Sequence, residues 1–251
     1  MKKSEATTIL EIVSQFQNKA EHIKRYDGNP YVDGDSVAGH LSRLIRLFSY
    51  ISSYIQKEFP LEDGLVEQIF VILLIHDDDE ILEGFDIPTA NKIHNSNDEA
   101  EIHTFEKAIA LLPEESKTNI SEAFRTFRKK DSLAAKIAKA LDNIAGNQLV
   151  VEQRLGLINP DQAKFAIEYV EKVKGVSKII DMLIDAQITQ IIEIRQQLLS
   201  NSHEVSDLLD SVAKTQKAKS DIFEKAIRLL KIDILSHTLD KTNINLPLDL
   251  L

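Results

Sequence analysis

An all-α fold is predicted by three observations. Leu, Ile, Ala, Glu, Lys and Gln dominate the 251 residues, a composition that favours long helices. Eight glycines and six prolines are too few to punctuate a many-stranded fold. Apolar residues recur at a three/four spacing along most of the chain, and no segment alternates convincingly as a strand.

Taken in order, residues 6–24 place Ile9, Leu10, Val13, Phe16, Ala20 and Ile23 on one helical face. The segments Tyr26-Asp27-Gly28-Asn29-Pro30 and Asp33-Gly34-Asp35 are dense in turn formers. Asp35 or Ser36 is then the natural N-cap of a second helix running to about Gln56, with Leu41, Leu44, Ile45, Phe48 and Ile51 inward. After Pro60 and Asp63-Gly64, a third helix is expected from Leu65 to Leu82, ended by Gly84-Phe85-Asp86-Ile87-Pro88. Helices are further expected over 98–112, 115–129 and 131–150, and Asn159-Pro160-Asp161 opens another that runs towards Gly175 or through it to Leu199.

From Val176 the pattern becomes denser. Ile179, Ile180, Leu183, Ile184, Ile188, Ile191, Ile192 and Leu198 form an apolar face that reads equally as internal packing or as the seam of a homodimer. A last helix is expected near 218–235, before an irregular tail. The chain thus divides into a first domain over 1–174 and a helical extension over 175–251, packed on that domain or forming an oligomer interface.

The chain has no cysteine, which excludes disulfides, thiolate metal sites and a cysteine nucleophile. The N-terminus lacks a signal-peptide core, and no apolar run approaches the ~18 residues of a membrane span. A soluble, cytoplasmic protein without a membrane partner is expected. A net charge of −10 argues against a nucleic-acid partner, yet leaves room for a small phosphorylated substrate in a locally cationic pocket.

The apolar run Ile69–Ile75 ends in His76 and Asp77. Burying an imidazole and a carboxylate is costly unless something neutralises them, and a divalent cation does so. As the end of a helix, the acids Asp77, Asp78, Asp79 and Glu80 repel the dipole unless a cation is near. His40 lies on the second helix and Asp142 within Ala134–Ile144, a helical pattern in which aspartate is disfavoured. Three helices of a bundle can bring His40, His76, Asp77 and Asp142 together. Two imidazoles and two carboxylates suit an open, six-coordinate Mn, Fe, Co or Mg ion better than a closed structural zinc.

A histidine, a later His-Asp pair and a final aspartate resemble the HD-domain metal-dependent phosphohydrolases, and within them the bacterial HD-domain 5′-nucleotidases. Arg25 precedes His40 at the interval of that family's phosphate-contacting arginine. Glu80 follows His76 by one helical turn, where the family has a glutamate, and Asp86-Ile87-Pro88-Thr89-Ala90-Asn91-Lys92 is similar to its Asp-Leu-Pro-Thr-x-x-Lys stretch. The resemblance spans roughly Ile23 to Gln153. Gly39 replaces an acidic residue common before the histidine, Phe85 looks inserted, and Asp78 and Asp79 replace small residues, adding carboxylates beside the metal.

The resemblance implies an all-α HD-domain bundle that releases phosphate from (deoxy)nucleoside 5′-monophosphates, with one divalent ion held by His40, His76, Asp77 and Asp142. Asp77 and Glu80 would be catalytic, Glu80 orienting or deprotonating the attacking metal-bound water. Arg25 would grip the phosphate, with Asp86 and Lys92 at the sugar and phosphate end. His94 and His103 are read as surface residues, not a second metal site. Alarmone pyrophosphohydrolases carry an acid after the glutamate, where this chain has Ile81. Triphosphohydrolysis and a non-enzymatic binding module on the same scaffold are the remaining alternatives.

Overall fold

The computed structural model describes residues 3–26, 32, 34–84 and 98–200. Nine α-helices are present among them: α1 Lys3–His22, α2 Val37–Glu58, α3 Leu65–Ile75, α4 Asp78–Glu83, α5 Asp98–Ala108, α6 Glu114–Lys129, α7 Leu133–Gln153, α8 Pro160–Glu171 and α9 Lys178–Ser200. One 3-10 turn, Leu155–Ile158, links α7 to α8, and the fold is all-α. None of the described helices is long and apolar enough to cross a membrane.

The starts of the helices follow local chemistry. Ser36 caps α2 by accepting from the Gly39 backbone N–H at 3.0 Å, and Ser132 caps α7 by accepting from Ala135 at the same distance. Asn159 caps α8 through the Asp161 N–H, with Pro160 in the first turn where its missing donor costs nothing.

Helix α7 is the axis of the molecule. It is buried nearly all round and packs against α2, α3, α6, α8 and α9. Its small residues Ala134, Ala135, Ala138, Ala140 and Ala145 let these neighbours approach. Leu44, Phe48, Ile51 and Ile55 of α2, Ile69, Ile72 and Leu73 of α3, and Ile137, Leu141 and Ile144 of α7 make one core, which also takes in Ile180 and Ile184 of α9. Ile191 and Leu198 bury into a second cluster with Leu157, Ala163 and Ala166. The apolar face of α9 is therefore largely internal packing, although Ile179, Leu183 and Ile188 stay partly covered at its edge.

One expected continuity is broken, and one that the sequence left open is decided. The third helix does not run to Leu82: α3 stops at Ile75, and α4 starts afresh at Asp78. In one continuous helix His76 and Asp77 would point about 100° apart; the corner lets both reach one point. Asp78, Asp79 and Glu80 consequently sit in the first turn of α4, the end where the helix dipole favours acids, and not at a C-terminus. Similarly, α8 and α9 are separate helices around Gly175, which takes a left-handed φ of 86°. The carboxylate of Glu58, at the end of α2, caps α9 by accepting from Ser177 Oγ and Lys178 N at 2.7 Å each. The helix expected near 218–235 lies outside the described residues.

Candidate metal centre

The loop after α1 is tied into place before it contributes a side chain. Arg25 N donates to Asp35 O at 2.7 Å and Val37 N to Ile23 O at 3.0 Å, joining the end of α1 to the start of α2. Gly34 makes this possible, since a Cβ there would stand 2.1 Å from the Arg25 carbonyl oxygen. Tyr26 extends across to α7, its hydroxyl donating to the Gly146 carbonyl. Arg25 is thereby held over the α3–α4 corner.

Four elements converge there. His40 from α2, His76 and Asp77 from the corner, Glu80 from α4 and Asp142 from α7 are all buried. Ligand atoms of His40, His76 and Asp142 lie within 4.8 Å of one another. Asp142 Oδ1 is 3.0 Å from His40 Nε2 and 3.5 Å from His76 Nε2. Asp77 borders this trio, with Oδ1 3.2 Å from His76 Nε2 and Oδ2 3.9 Å from His40 Nε2. Gly39 is the place where the chain lacks an acid before His40, and any Cβ there would collide with the Asp35 carboxylate at 2.1 Å.

The protonation of His76 tests whether an ion fits. Its Nδ1 lies 3.0 Å from Leu73 O, which only accepts, so Nδ1 carries the hydrogen. Nε2 then faces two carboxylates, is buried and has no hydrogen-bond partner. An unprotonated Nε2 would aim its lone pair at carboxylate oxygens, so a cation belongs between them, a proton in the metal-free chain or a metal ion that displaces it. Without an ion, burial works against a charged ring, but Asp77 and then Asp142 outweigh it and push the pKa up to about 9. His40 is displaced downwards, by burial and by the Arg25 charge. Burial opposes ionisation of Asp142 and Asp77, yet Lys139 and the histidines hold Asp142 well below the usual carboxylate range, and His76 with Arg25 lowers Asp77. Two ionised carboxylates beside imidazole nitrogens form a donor set for a divalent cation.

Arg25 and Glu80 also join the centre. Arg25 Nη1 lies 2.5 Å from Asp77 Oδ2 and 4.0 Å from Glu80 Oε2. Asp86, Lys92 and His94 lie outside the described residues. His103 is exposed on α5. The carboxylates expected to crowd the metal point elsewhere. Asp79 is paired with Arg128, which also holds Glu101 at 3.0 Å. Asp78 lines a groove of about 620 Å³ on the other side of the corner, among Ile75, Ile81 and residues of α1. Burial raises the Asp78 carboxyl well above its ordinary pKa, with Asp77 and Asp79 adding to the effect of burial against His76.

Two residues that the sequence reading passed over belong to this region. Lys139 Nζ is 2.6 Å from Asp142 Oδ2, and its position three residues before Asp142 on a helix was the available signal. Arg128 had no local signal, because its partners come from α4 and α5.

The profile of a family described as HD domain matches residues 9–184, reaching into α9. No curated protein matches the sequence. Among solved structures, the chain is similar to a crystal structure described as a predicted metal-dependent phosphohydrolase from Magnetospirillum magnetotacticum MS-1. The two share 18% identity with a TM-score of 0.55, over 76% of this chain and 95% of that one.

Proposed function

The chain belongs to the HD-domain family, and from that premise we propose that it is a metal-dependent phosphohydrolase acting on (deoxy)nucleoside 5′-monophosphates. The observation that carries the metal dependence is His76, whose Nδ1 is fixed by Leu73 and whose Nε2 is aimed without a partner between Asp77 and Asp142. The fold likeness to a protein described as a phosphohydrolase supports the reaction class. The nucleotide part rests on Arg25, Glu80 and the Asp86–Lys92 stretch.

His40, His76, Asp77 and Asp142 would hold one divalent ion, Mn, Co, Fe or Mg. When bound, such an ion supplies Lewis acidity and lowers the pKa of water. Arg25 spends one nitrogen on Asp77, while its buried Nε has no hydrogen-bond partner; its planar fork can therefore bridge the ligand set and a phosphoryl oxygen. Glu80, buried beside Arg25, accepts the proton of the attacking water and returns it to the departing nucleoside oxygen. Asp86 and Lys92 are assigned to the sugar and phosphate end of the pocket.

The test is orthophosphate release from a panel of ribo- and deoxynucleoside monophosphates with Mn, Co or Mg added. Turnover of at least one class is expected. A metal-loaded protein inert towards the whole panel removes the nucleotide assignment, and pyrophosphate or triphosphate as product selects another HD-domain reaction.

A further inference from the structure

Both carboxylates of the centre are divided in the same way. Asp77 turns Oδ1 towards His76 Nε2 at 3.2 Å and gives Oδ2 to Arg25 Nη1 at 2.5 Å. Asp142 turns Oδ1 towards His40 Nε2 at 3.0 Å and gives Oδ2 to Lys139 Nζ at 2.6 Å. In each, one oxygen lies nearest an imidazole and the other is held by a cation, although Asp77 Oδ2 also stands 3.9 Å from His40 Nε2. Arg25 arrives from the loop after α1, whereas Lys139 reaches back from one turn earlier on the same helix as Asp142.

We propose that Lys139 is a positioning residue that keeps Asp142 a one-oxygen ligand. The inference rests on the metal reading of the centre and not on the nucleotide reading. A carboxylate beside a divalent cation coordinates through one oxygen or both. With Oδ2 engaged by an ammonium group, Asp142 offers only Oδ1, so a coordination position stays open for water or a phosphoryl oxygen. The charge follows the same logic. Asp77, Asp142 and Glu80 contribute −1 each and Arg25 and Lys139 +1 each, so a bound divalent ion leaves the centre with a net charge of about +1. In a chain of net charge −10, this local balance makes the loaded site attractive to a phosphate anion.

The test uses the full chain and three variants, Lys139→Met, Lys139→Arg and Lys139→Gln. Mn(II) affinity is read by electron paramagnetic resonance, exchangeable water on Mn(II) by proton relaxation, and inorganic phosphate binding to the loaded protein by calorimetry. Lys139→Met frees Oδ2, so Mn(II) should bind about tenfold more tightly, carry one fewer water and take phosphate about tenfold more weakly, as removal of one nearby charge predicts. Lys139→Arg should restore all three readings. A damaged site would weaken metal and phosphate together; that result, or an unchanged water count, overturns the proposal. Should Lys139→Met fail to fold, Lys139→Gln keeps a donor without the charge and must still tighten Mn(II) and weaken phosphate; if it changes neither, the proposal falls. A chain that takes up no Mn(II) overturns it together with the metal reading. Metal uptake without nucleotide turnover removes only the substrate assignment.

Discussion

Helix α7 carries two buried polar clusters little more than one turn apart, and they are built on opposite rules. Around Asn147 the groups are neutral and satisfy one another: Asn147 Nδ2 donates to Gln187 Oε1 at 3.0 Å, and Gln187 Nε2 donates to Ile144 O at 3.1 Å and Gln148 Oε1 at 2.9 Å. Around Asp142 the groups are charged, and His76 Nε2 is left without a hydrogen bond although it is buried. The first cluster ties α9 to α7 and needs nothing from outside. The second holds capacity that the protein itself does not use. Buried polar groups are normally satisfied, so the second arrangement points to a bound partner and the first to architecture.

If that contrast is correct, the two clusters respond to opposite probes. The largest effect belongs to His76→Gln. It should abolish tight metal uptake and cut phosphate release by on the order of 10³, as expected when a metal's catalytic contribution is removed. The metal-free variant should also unfold at a lower temperature near neutral pH, because Asp77 and Asp142 lose the protonated ring between them. An unimpaired metal content, measured by elemental analysis, would break the assignment of His76.

Next in size is the dependence of metal affinity on pH. In the metal-free chain His76 keeps its second proton up to about pH 9, because Asp77 and Asp142 outweigh burial. An incoming ion must displace that proton, so affinity should rise about tenfold per pH unit up to that value. The sign for stability is the reverse. A pKa raised on folding contributes stability in full below about pH 6.5, the ordinary histidine value, and loses it as pH rises through about 9. Metal-free protein should therefore weaken across that window, and loaded protein should not. A flat affinity profile from calorimetry between pH 6.5 and 8.5 would contradict the site's electrostatics.

The smallest effect should come from the neutral cluster. Gln187→Ala leaves the buried Asn147 amide and the Gln148 side-chain carbonyl without this partner, which costs about 1–3 kcal/mol in urea unfolding. Metal uptake should be unchanged. A loss of metal in this variant would mean that the clusters are coupled along α7.

Much of this was present in the order of residues. The three/four spacing, the Ser36 and Ser132 caps and the Asn159-Pro160 start follow from interactions within a few residues, where sequence and geometry are nearly the same thing. The candidate ligands were recognisable for a related reason: an imidazole or carboxylate in an apolar run conflicts with burial, and such conflicts mark sites. His103 likewise reads as a surface residue in both the sequence and the structure.

What the chain's order could not reveal were the partners. The corner between Ile75 and Asp78 is lined by Arg25 and Asp142, the first brought there by the loop after α1 and the second by α7. The destinations of Asp78 and Asp79 were equally non-local: one faces the groove beside α1, the other is claimed by Arg128 of α6. Local spacing sets helices and their buried faces because backbone hydrogen bonds close within four residues. Charges in a low-dielectric interior are settled by whatever counter-charge packing brings within a few ångströms, and that packing exists only once the bundle has closed.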